Sequence, residues 1–347
     1  MEKTETLTAV AAKTVKKNIR RNGLIFILFM FSSLFLSDIS KILEVIVPFK
    51  INIQNRPFNH FVKGEPMERR IPSWIRMKVP GGKNYTSLRQ ATVFLHTVCI
   101  EARCPNIGEC ACAGHAAFLV LGTVCTRHCG YCAVSHGTPQ KPDQDEPEKI
   151  AAVSLELKLS HIVLTSVTRD DLPDGGAFHF AACVSAISRC NPQCGIELLV
   201  PDFRNKNGAL EIVFCSRPDI INHNIETTRG VFRELRPQGD YDYSLSVIRR
   251  IADAGFPAKS GLMIGFGESM DDIERTLHDL RSAGCSIITV GQYLQSHKEG
   301  FPVAKFYTPD EFHLISEKAK SIGFPEVLAG PMVRSSYHAG RGAGQIG

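Results

Sequence analysis

The stretch Ala116-Ala117-Phe118-Leu119-Val120-Leu121-Gly122-Thr123-Val124-Cys125-Thr126-Arg127-His128-Cys129-Gly130-Tyr131-Cys132 decides how this chain is read. Residues 118–122 form a short apolar run ending on glycine, the pattern of a buried strand. Three thiols follow on the loop beyond the strand's carboxyl end, where parallel sheets and barrels place their ligand sites. Working outward, the alternation recurs. Strands are expected at 118–122, 161–166, 195–200, 219–224, 259–265 and 287–293. Helices are expected at 146–158, 177–188, 208–214, 243–253, 270–282 and 309–321. Six strand–helix units in series imply a parallel sheet with right-handed crossovers. The predicted class is α/β: a partial (β/α)6 TIM-like barrel with N- and C-terminal extensions, open on one side to a large substrate. Other reactive side chains also follow strands: Arg169, Asp170 and Asp171, then Asp202, then Glu268.

The chain has 347 residues, 44% hydrophobic and 22% charged, which excludes wholesale disorder, a collagen-like repeat and a polytopic membrane protein. A net charge of +5 is too mild to imply a nucleic-acid partner. Cysteine usage is more telling. Seven of the 12 cysteines crowd into residues 99–132, as Cys99, Cys104 and Cys110, then Cys112, then Cys125, Cys129 and Cys132. A disulfide framework favours short secreted chains with spread cysteines. This crowding reads instead as metal ligation in a reducing, cytoplasmic setting with no stable membrane association. Zinc would need a fourth ligand such as His128, which adjoins Cys129 and makes a tetrahedral set awkward. Three thiolates on one short loop suit three irons of a cubane, leaving the fourth iron open. The scattered Cys183, Cys190, Cys194, Cys215 and Cys285 read as small buried or surface residues.

Residues 1–66 look unlike the rest, with a basic region ahead of an apolar stretch at 24–36. That resembles a signal or a short anchor, but falls short of the ~20 residues of a spanning helix. Export would put cluster ligands in an oxidising space, so a downstream start at Met67 is the preferred reading. The expected divisions are 1–66 as a non-conforming segment, 67–115 as a cysteine-bearing extension, 116–300 as the barrel, and 301–347 as a C-terminal extension.

The triplet Cys125, Cys129 and Cys132, with Tyr131 before the last thiol, resembles the cluster motif of the radical S-adenosylmethionine (SAM) superfamily. Its combination with Cys99, Cys104 and Cys110 resembles the lipoyl synthase family. Further matching segments run in order across residues 72–340: Thr168-Arg169-Asp170-Asp171-Leu172 through Asp174-Gly175-Gly176; Val200-Pro201-Asp202-Phe203-Arg204; Asn222-His223-Asn224-Ile225-Glu226; Lys259-Ser260-Gly261-Leu262-Met263; and Val333-Arg334-Ser335-Ser336-Tyr337. The resemblance implies a sulfurtransferase of lipoate biosynthesis. It would insert two sulfur atoms, at C6 and C8 of an octanoyl chain amide-linked to a lysine of a lipoyl carrier domain. Those C–H bonds are beyond acid–base chemistry, which is the reason for a radical made from SAM, two per turnover.

The resemblance further implies two 4Fe–4S clusters. One, on Cys125, Cys129 and Cys132, would engage SAM. An auxiliary one, on Cys99, Cys104 and Cys110 with Ser336 as a labile fourth ligand, would supply the sulfur. Gly175, Gly176, Asn222, Asn224 and Glu226 are the candidate SAM contacts. Arg204, Arg236 and Arg334 are guesses for the SAM carboxylate or the acidic surface of a carrier. The implied partners are octanoylated carrier domains of 2-oxoacid dehydrogenase complexes or the glycine-cleavage H protein, a low-potential electron donor and a cluster-repair factor. The chain departs from the family pattern at Ser296-His297-Lys298, at Arg229-Gly230 and at Gln238-Gly239-Asp240-Tyr241, all in loops expected near the mouth. Another radical sulfur inserter, and a non-catalytic iron–sulfur carrier, are the competing readings.

Overall fold

A computed structural model describes residues 71–76, 83–92, 95–101, 104, 106–297 and 300–337, excepting the side chains of 83–84 and 99–100. The Met67 start and the segment before it lie outside the described residues, as does Lys298.

Three short helices come first: α1 (Lys83–Ala91), α2 (Val98–Glu101) and α3 (Ile107–Cys112). Strand β1 (His115–Val120) follows, and then a small pair, β2 (Val124–Cys125) and β3 (Ser135–His136). The alternating part runs α4 (Glu146–Glu156), β4 (His161–Ser166), α5 (Ala177–Cys190), β5 (Gly195–Leu199), α6 (Ala209–Cys215), β6 (Ile220–Asn222), α7 (Arg229–Leu235), α8 (Tyr241–Asp253), β7 (Ala258–Ile264), α9 (Met270–Ser282), β8 (Ile287–Gln292), α10 (Pro309–Ile322) and β9 (Glu326–Gly330).

Seven strands form one sheet in the order β1-β4-β5-β6-β7-β8-β9, with every neighbouring pair parallel. Six are the strands expected from the apolar runs, and the alternation with helices is that of a partial TIM-like barrel. β1 starts at His115 and stops at Val120, because Leu121 (φ 68°) and Gly122 (φ 87°) turn out of extended backbone. The seventh strand, β9, comes from the C-terminal extension. Its half-buried Glu-Val-Leu-Ala-Gly lacks the β-branched run that marked the others.

The sheet is buried on both sides, as parallel sheets are: β8 is buried at every residue and β1 at all but its first. Phe118, Ile162, Leu164 and Leu198 pack with Ile150 and Phe180 of the helical layer. Two helix starts are fixed by capping boxes, Ser269 with Asp272 on α9 and Thr308 with Glu311 on α10. Among the described residues β1 and β9 do not pair, so the barrel stays open between them. The N-terminal extension lies along the free edge of β1, with a bridge from Thr97 to Phe118 and a Leu119 N–H donated to the His96 carbonyl at 2.9 Å. These bonds occupy part of an edge that would otherwise be open to pairing. No described helix is long and apolar enough to cross a membrane.

Candidate active site

The loop after β1 carries Cys125 at the end of β2, then Cys129 and Cys132. Its backbone is tied down residue by residue. The Gly137 N–H reaches the Cys125 carbonyl at 2.9 Å, the Gly130 N–H the Leu235 carbonyl at 2.8 Å, and the Cys132 N–H the Cys129 carbonyl at 3.1 Å. The central fixture is Arg127, 8% exposed. It grips Asp170 with two nitrogens, Nε at 2.7 Å and Nη2 at 2.8 Å, and Asp202 with Nη1 at 2.7 Å. Asp170 follows β4 and Asp202 follows β5, so one guanidinium joins three loops. Bidentate pairing of this kind fixes geometry as well as charge. Thr126 adds hydrogen bonds to Thr168 and Asp170.

The three thiols lie within electrostatic reach of one another, Cys129 and Cys132 also of Glu226, and Cys129 of Arg236. Burial pushes Cys129 upward, with the Arg236 guanidinium opposing it. Burial pushes Cys132 up to about 11, against the Val134 N–H. Thiols so placed resist ionising alone and become thiolates when a metal centre supplies the countercharge. Tyr131, Leu235, Phe266, Tyr293 and Phe301 form an apolar wall beside them.

The candidate SAM contacts separate. Asn224 and Glu226 come to the cysteine loop: Asn224 Nδ2 donates to Glu226 Oε1 at 3.2 Å and to Ser335 Oγ at 3.3 Å, and Glu226 faces Tyr131 and Arg236. Glu226 holds φ 72°, a conformation uncommon for a non-glycine residue. Asn222 turns into the barrel instead. Its Nδ2 donates to Glu197 Oε1 at 3.0 Å, and Glu197 Oε2 accepts from Lys259 Nζ at 2.8 Å, all three buried. Gly175 and Gly176 make the turn into α5 with positive φ. A Cβ on Gly176 would overlap Leu121 Cδ1, and one on Gly175 would stand 2.9 Å from Phe203 Cδ1. Positive φ and close packing both call for glycine at these two positions. Asp174 accepts from the Gly176 and Phe178 N–H groups, and Glu268 from those of Gly265 and Phe266, so both carboxylates brace their own turns.

Cys104 and Cys110 of the first triplet gather at a different level. Cys104, Cys110, Arg334 and Ser336 line one narrow pocket with His115, Ala116 and Ala117 of β1, and Val163 of β4. Val98 packs on Ala117 and Val163, which brings the backbone of Cys99 alongside; its side chain lies outside the described residues. The two chain extensions are bonded directly. Asn106 Nδ2 donates to the Met332 carbonyl at 2.7 Å, and the Tyr337 hydroxyl to Glu109 Oε1 at 2.9 Å. Gly291 on β8 admits this segment, since a Cβ there would overlap the Val333 carbonyl. Burial raises Cys104, opposed by the Asn106 N–H and the Arg334 guanidinium. This pocket meets the first half of β1 and the other thiols follow its end. At ~3.3 Å per residue the two sites are offset by roughly 10 Å along the barrel.

Of the three guessed arginines, Arg236 stands at the cysteine loop and Arg334 in the second pocket. Arg204 lines a separate rim cleft with Arg127, Asp170, Asn205, Lys206 and Gln238. Sequence reasoning missed the role of Arg127, whose two partners are remote in the chain. The departures from pattern are placed too. Gln238 Oε1 accepts the His128 N–H at 3.0 Å, and Arg229 pairs with Asp242 at 2.8 Å and lies over the Tyr241 ring. Cys112 is exposed, and His223 is buried with Nδ1 against the Val200 carbonyl at 3.0 Å. Among the described residues no three His, Cys, Asp or Glu side chains close on a point suited to a single metal ion. The donor chemistry, soft thiols in half-buried pockets beside a guanidinium, fits iron–sulfur clusters.

Two sequence models match the chain: the radical SAM superfamily over residues 119–280, and the N-terminal domain of lipoyl synthase of the radical SAM family over residues 53–104. The lipoyl synthase of Shewanella pealeana is 46% identical over 288 residues, covering 80% of this chain and 90% of that protein. That of Nitrosococcus oceani is 47% identical over 289 residues, covering 81% and 89%. That of Xylella fastidiosa (strain M12) is 46% identical over 285 residues, covering 80% and 76%. Among solved structures, methylornithine synthase aligns with 61% of this chain and 62% of its own at 14% identity and a TM-score of 0.48, too slight a likeness to build on. With relatives this similar over this much of its length, the chain belongs to the lipoyl synthase family of the radical SAM superfamily.

Proposed function

We propose that Cys125, Cys129 and Cys132 hold the cluster that engages SAM, and that Cys99, Cys104, Cys110 and Ser336 hold the auxiliary cluster. The protein is a lipoyl synthase, a radical SAM sulfurtransferase that uses SAM and two 4Fe–4S clusters and acts on a lipoyl carrier domain. When bound, these groups supply a hydrogen-abstracting radical and the sulfur for C6 and C8 of the octanoyl chain. The protein's own residues supply position. Arg127 holds the thiol loop to the loops after β4 and β5, so that the three thiols present one open side. Asn224 and Glu226 offer an amide and a carboxylate beside that side, suited to an ammonium or a ribose hydroxyl. The wall of Leu235, Phe266 and Tyr293 keeps water from the reacting carbons. Gly175 and Gly176 give SAM a close approach to the backbone at the turn into α5, and Asn222, bonded to Glu197, steadies the strand end beside Asn224.

The observation that carries the assignment is the meeting of Cys104, Cys110 and Ser336 in one pocket from opposite ends of the described chain. The segment carrying Cys104 and Cys110 and the segment after β9 then act as two halves of one sulfur-bearing lid, on a barrel that runs from β1 to β9. We further propose a cytoplasmic enzyme served by a low-potential electron donor and a cluster-repair factor. The crowding of metal-ligating cysteines supports a reducing compartment, where such ligands stay unoxidised. The decisive experiment pairs two variants, each reconstituted without oxygen. Wild type binds about eight irons and Cys104→Ala about four. Cys104→Ala keeps cleaving SAM to 5′-deoxyadenosine and forms no lipoyl product, while Cys129→Ala does neither. Sulfur insertion by Cys104→Ala overturns the assignment.

A further inference from the structure

Asn224 stands between the two thiol sites and is bonded toward both. Its Nδ2 donates to Glu226 Oε1 at 3.2 Å and to Ser335 Oγ at 3.3 Å. Its backbone carbonyl accepts from Arg236 Nη1 at 3.3 Å, and Arg236 lies within electrostatic reach of Cys129. On the other side, one peptide bond joins Ser335 to Ser336, which lines the pocket of Cys104 and Cys110. The Asn224 amide and the Ser335 hydroxyl therefore form a continuous path from one site to the other. The chemistry of the partners fixes how the amide points. A carboxylate only accepts, so the nitrogen faces Glu226, and the same nitrogen serves Ser335. Oδ1 is left buried with no partner among the described residues. That is a costly place for an acceptor, so the amide is held there by what its nitrogen joins. β7 makes the room. A Cβ on Gly261 would stand 2.6 Å from Asn224 Oδ1 and 3.2 Å from Ser335 Cβ. Gly261 lies in mid-strand and outside the left-handed region, so space and not conformation calls for glycine. Its carbonyl also accepts the Glu226 N–H at 2.9 Å, which helps to hold Glu226 at its positive φ.

We propose that Ser335 is a positioning residue that couples the two sites through Asn224. With the segment after β9 seated by the auxiliary cluster, the Ser335 hydroxyl holds the Asn224 amide, and the amide holds the Glu226 carboxylate in the orientation offered to SAM. SAM then binds more tightly to protein whose sulfur-bearing pocket is complete. Coupling between binding sites is reciprocal, so bound SAM also seats the segment more firmly. This link rests on the lipoyl synthase reading and its two clusters, and adds the contact by which one pocket senses the other. It acts on affinity: at saturating SAM, cleavage runs at the wild-type rate with or without the segment.

The test is calorimetric titration of SAM onto oxygen-free, reconstituted protein without reductant, which reads binding in the absence of cleavage. Ser335→Ala is expected to raise Kd for SAM about fivefold, the loss of one hydrogen bond. Cys104→Ala, which lacks the auxiliary cluster, raises it by a similar factor, and Ser335→Ala/Cys104→Ala raises it no further. Gly261→Ala keeps the hydroxyl but crowds the amide, and weakens SAM binding too. The reciprocal effect is read with a chelator: saturating SAM slows the loss of auxiliary iron from wild type and leaves the loss from Ser335→Ala unchanged. A merely structural serine would speed that loss equally with and without SAM. Unchanged SAM affinity in Ser335→Ala, or additive losses in the double variant, would overturn the coupling while the cluster assignment stands. Retention of about eight irons by Cys104→Ala would break the cluster assignment itself, and the coupling with it.

Discussion

At the scale of single residues, Arg127 is the side chain on which the thiol loop depends. Its partner Asp202 is fully buried, so removing the guanidinium leaves a buried carboxylate without a counter-ion. Arg127→Met is expected to cost about 3–5 kcal/mol, read by denaturant melts, and to abolish SAM cleavage even where protein remains folded. Wild-type-like cleavage by the variant would show that the loop holds itself. His161 makes a different kind of prediction. Burial, then His115 and Lys259, bring its pKa down from 6.5 to about 3. The folded protein therefore binds fewer protons than the unfolded chain between those values. Stability from this group is complete above about pH 6.5 and drains away as pH falls toward 3. From pH 7 to 5 the loss is ~2 kcal/mol, and His161→Phe should flatten that part of the urea-melt pH profile. The thiols themselves were legible in the sequence, because their crowding is local. Arg127 was not, because its meaning lies in Asp170 and Asp202, which the fold brings to it.

Among the elements, six strands and six helices were readable to within a few residues from apolar periodicity and glycine punctuation. β9 escaped, since a short strand with half-buried residues carries no alternation to find. α7 escaped as well: Arg229–Leu235 spans only about two turns and carries Gly230 in its first, which weakens the helical signal. The closing segment after β9 is held by a handful of side-chain bonds and by the passage over Gly291. Asn106→Ala deletes the donor to the Met332 carbonyl, worth about 1 kcal/mol. A chelator should then strip iron from the auxiliary site faster, while iron at the Cys125–Cys132 loop leaves at the wild-type rate. Equal release from both sites would show that the segment does not guard the pocket.

For the molecule as a whole, the partial barrel and its open side followed from six units in series, too few to close a ring. The vertical offset between the thiol sites did not, because it depends on which part of β1 each extension meets. The offset implies separable functions. Truncation before Pro331 is expected to leave SAM cleavage intact, about half the iron bound and no sulfur insertion; a truncated protein that still makes lipoyl product would refute the shared pocket. The bonds of Asn106 to Met332 and of Tyr337 to Glu109 also set an order of assembly. A ribosome delivers the radical-forming loop and all of the barrel strands before the segment that completes the sulfur-bearing pocket. A stalled or nicked polypeptide would thus own the means to generate a radical and nothing to spend it on, which makes intact synthesis through Tyr337 a safeguard in its own right.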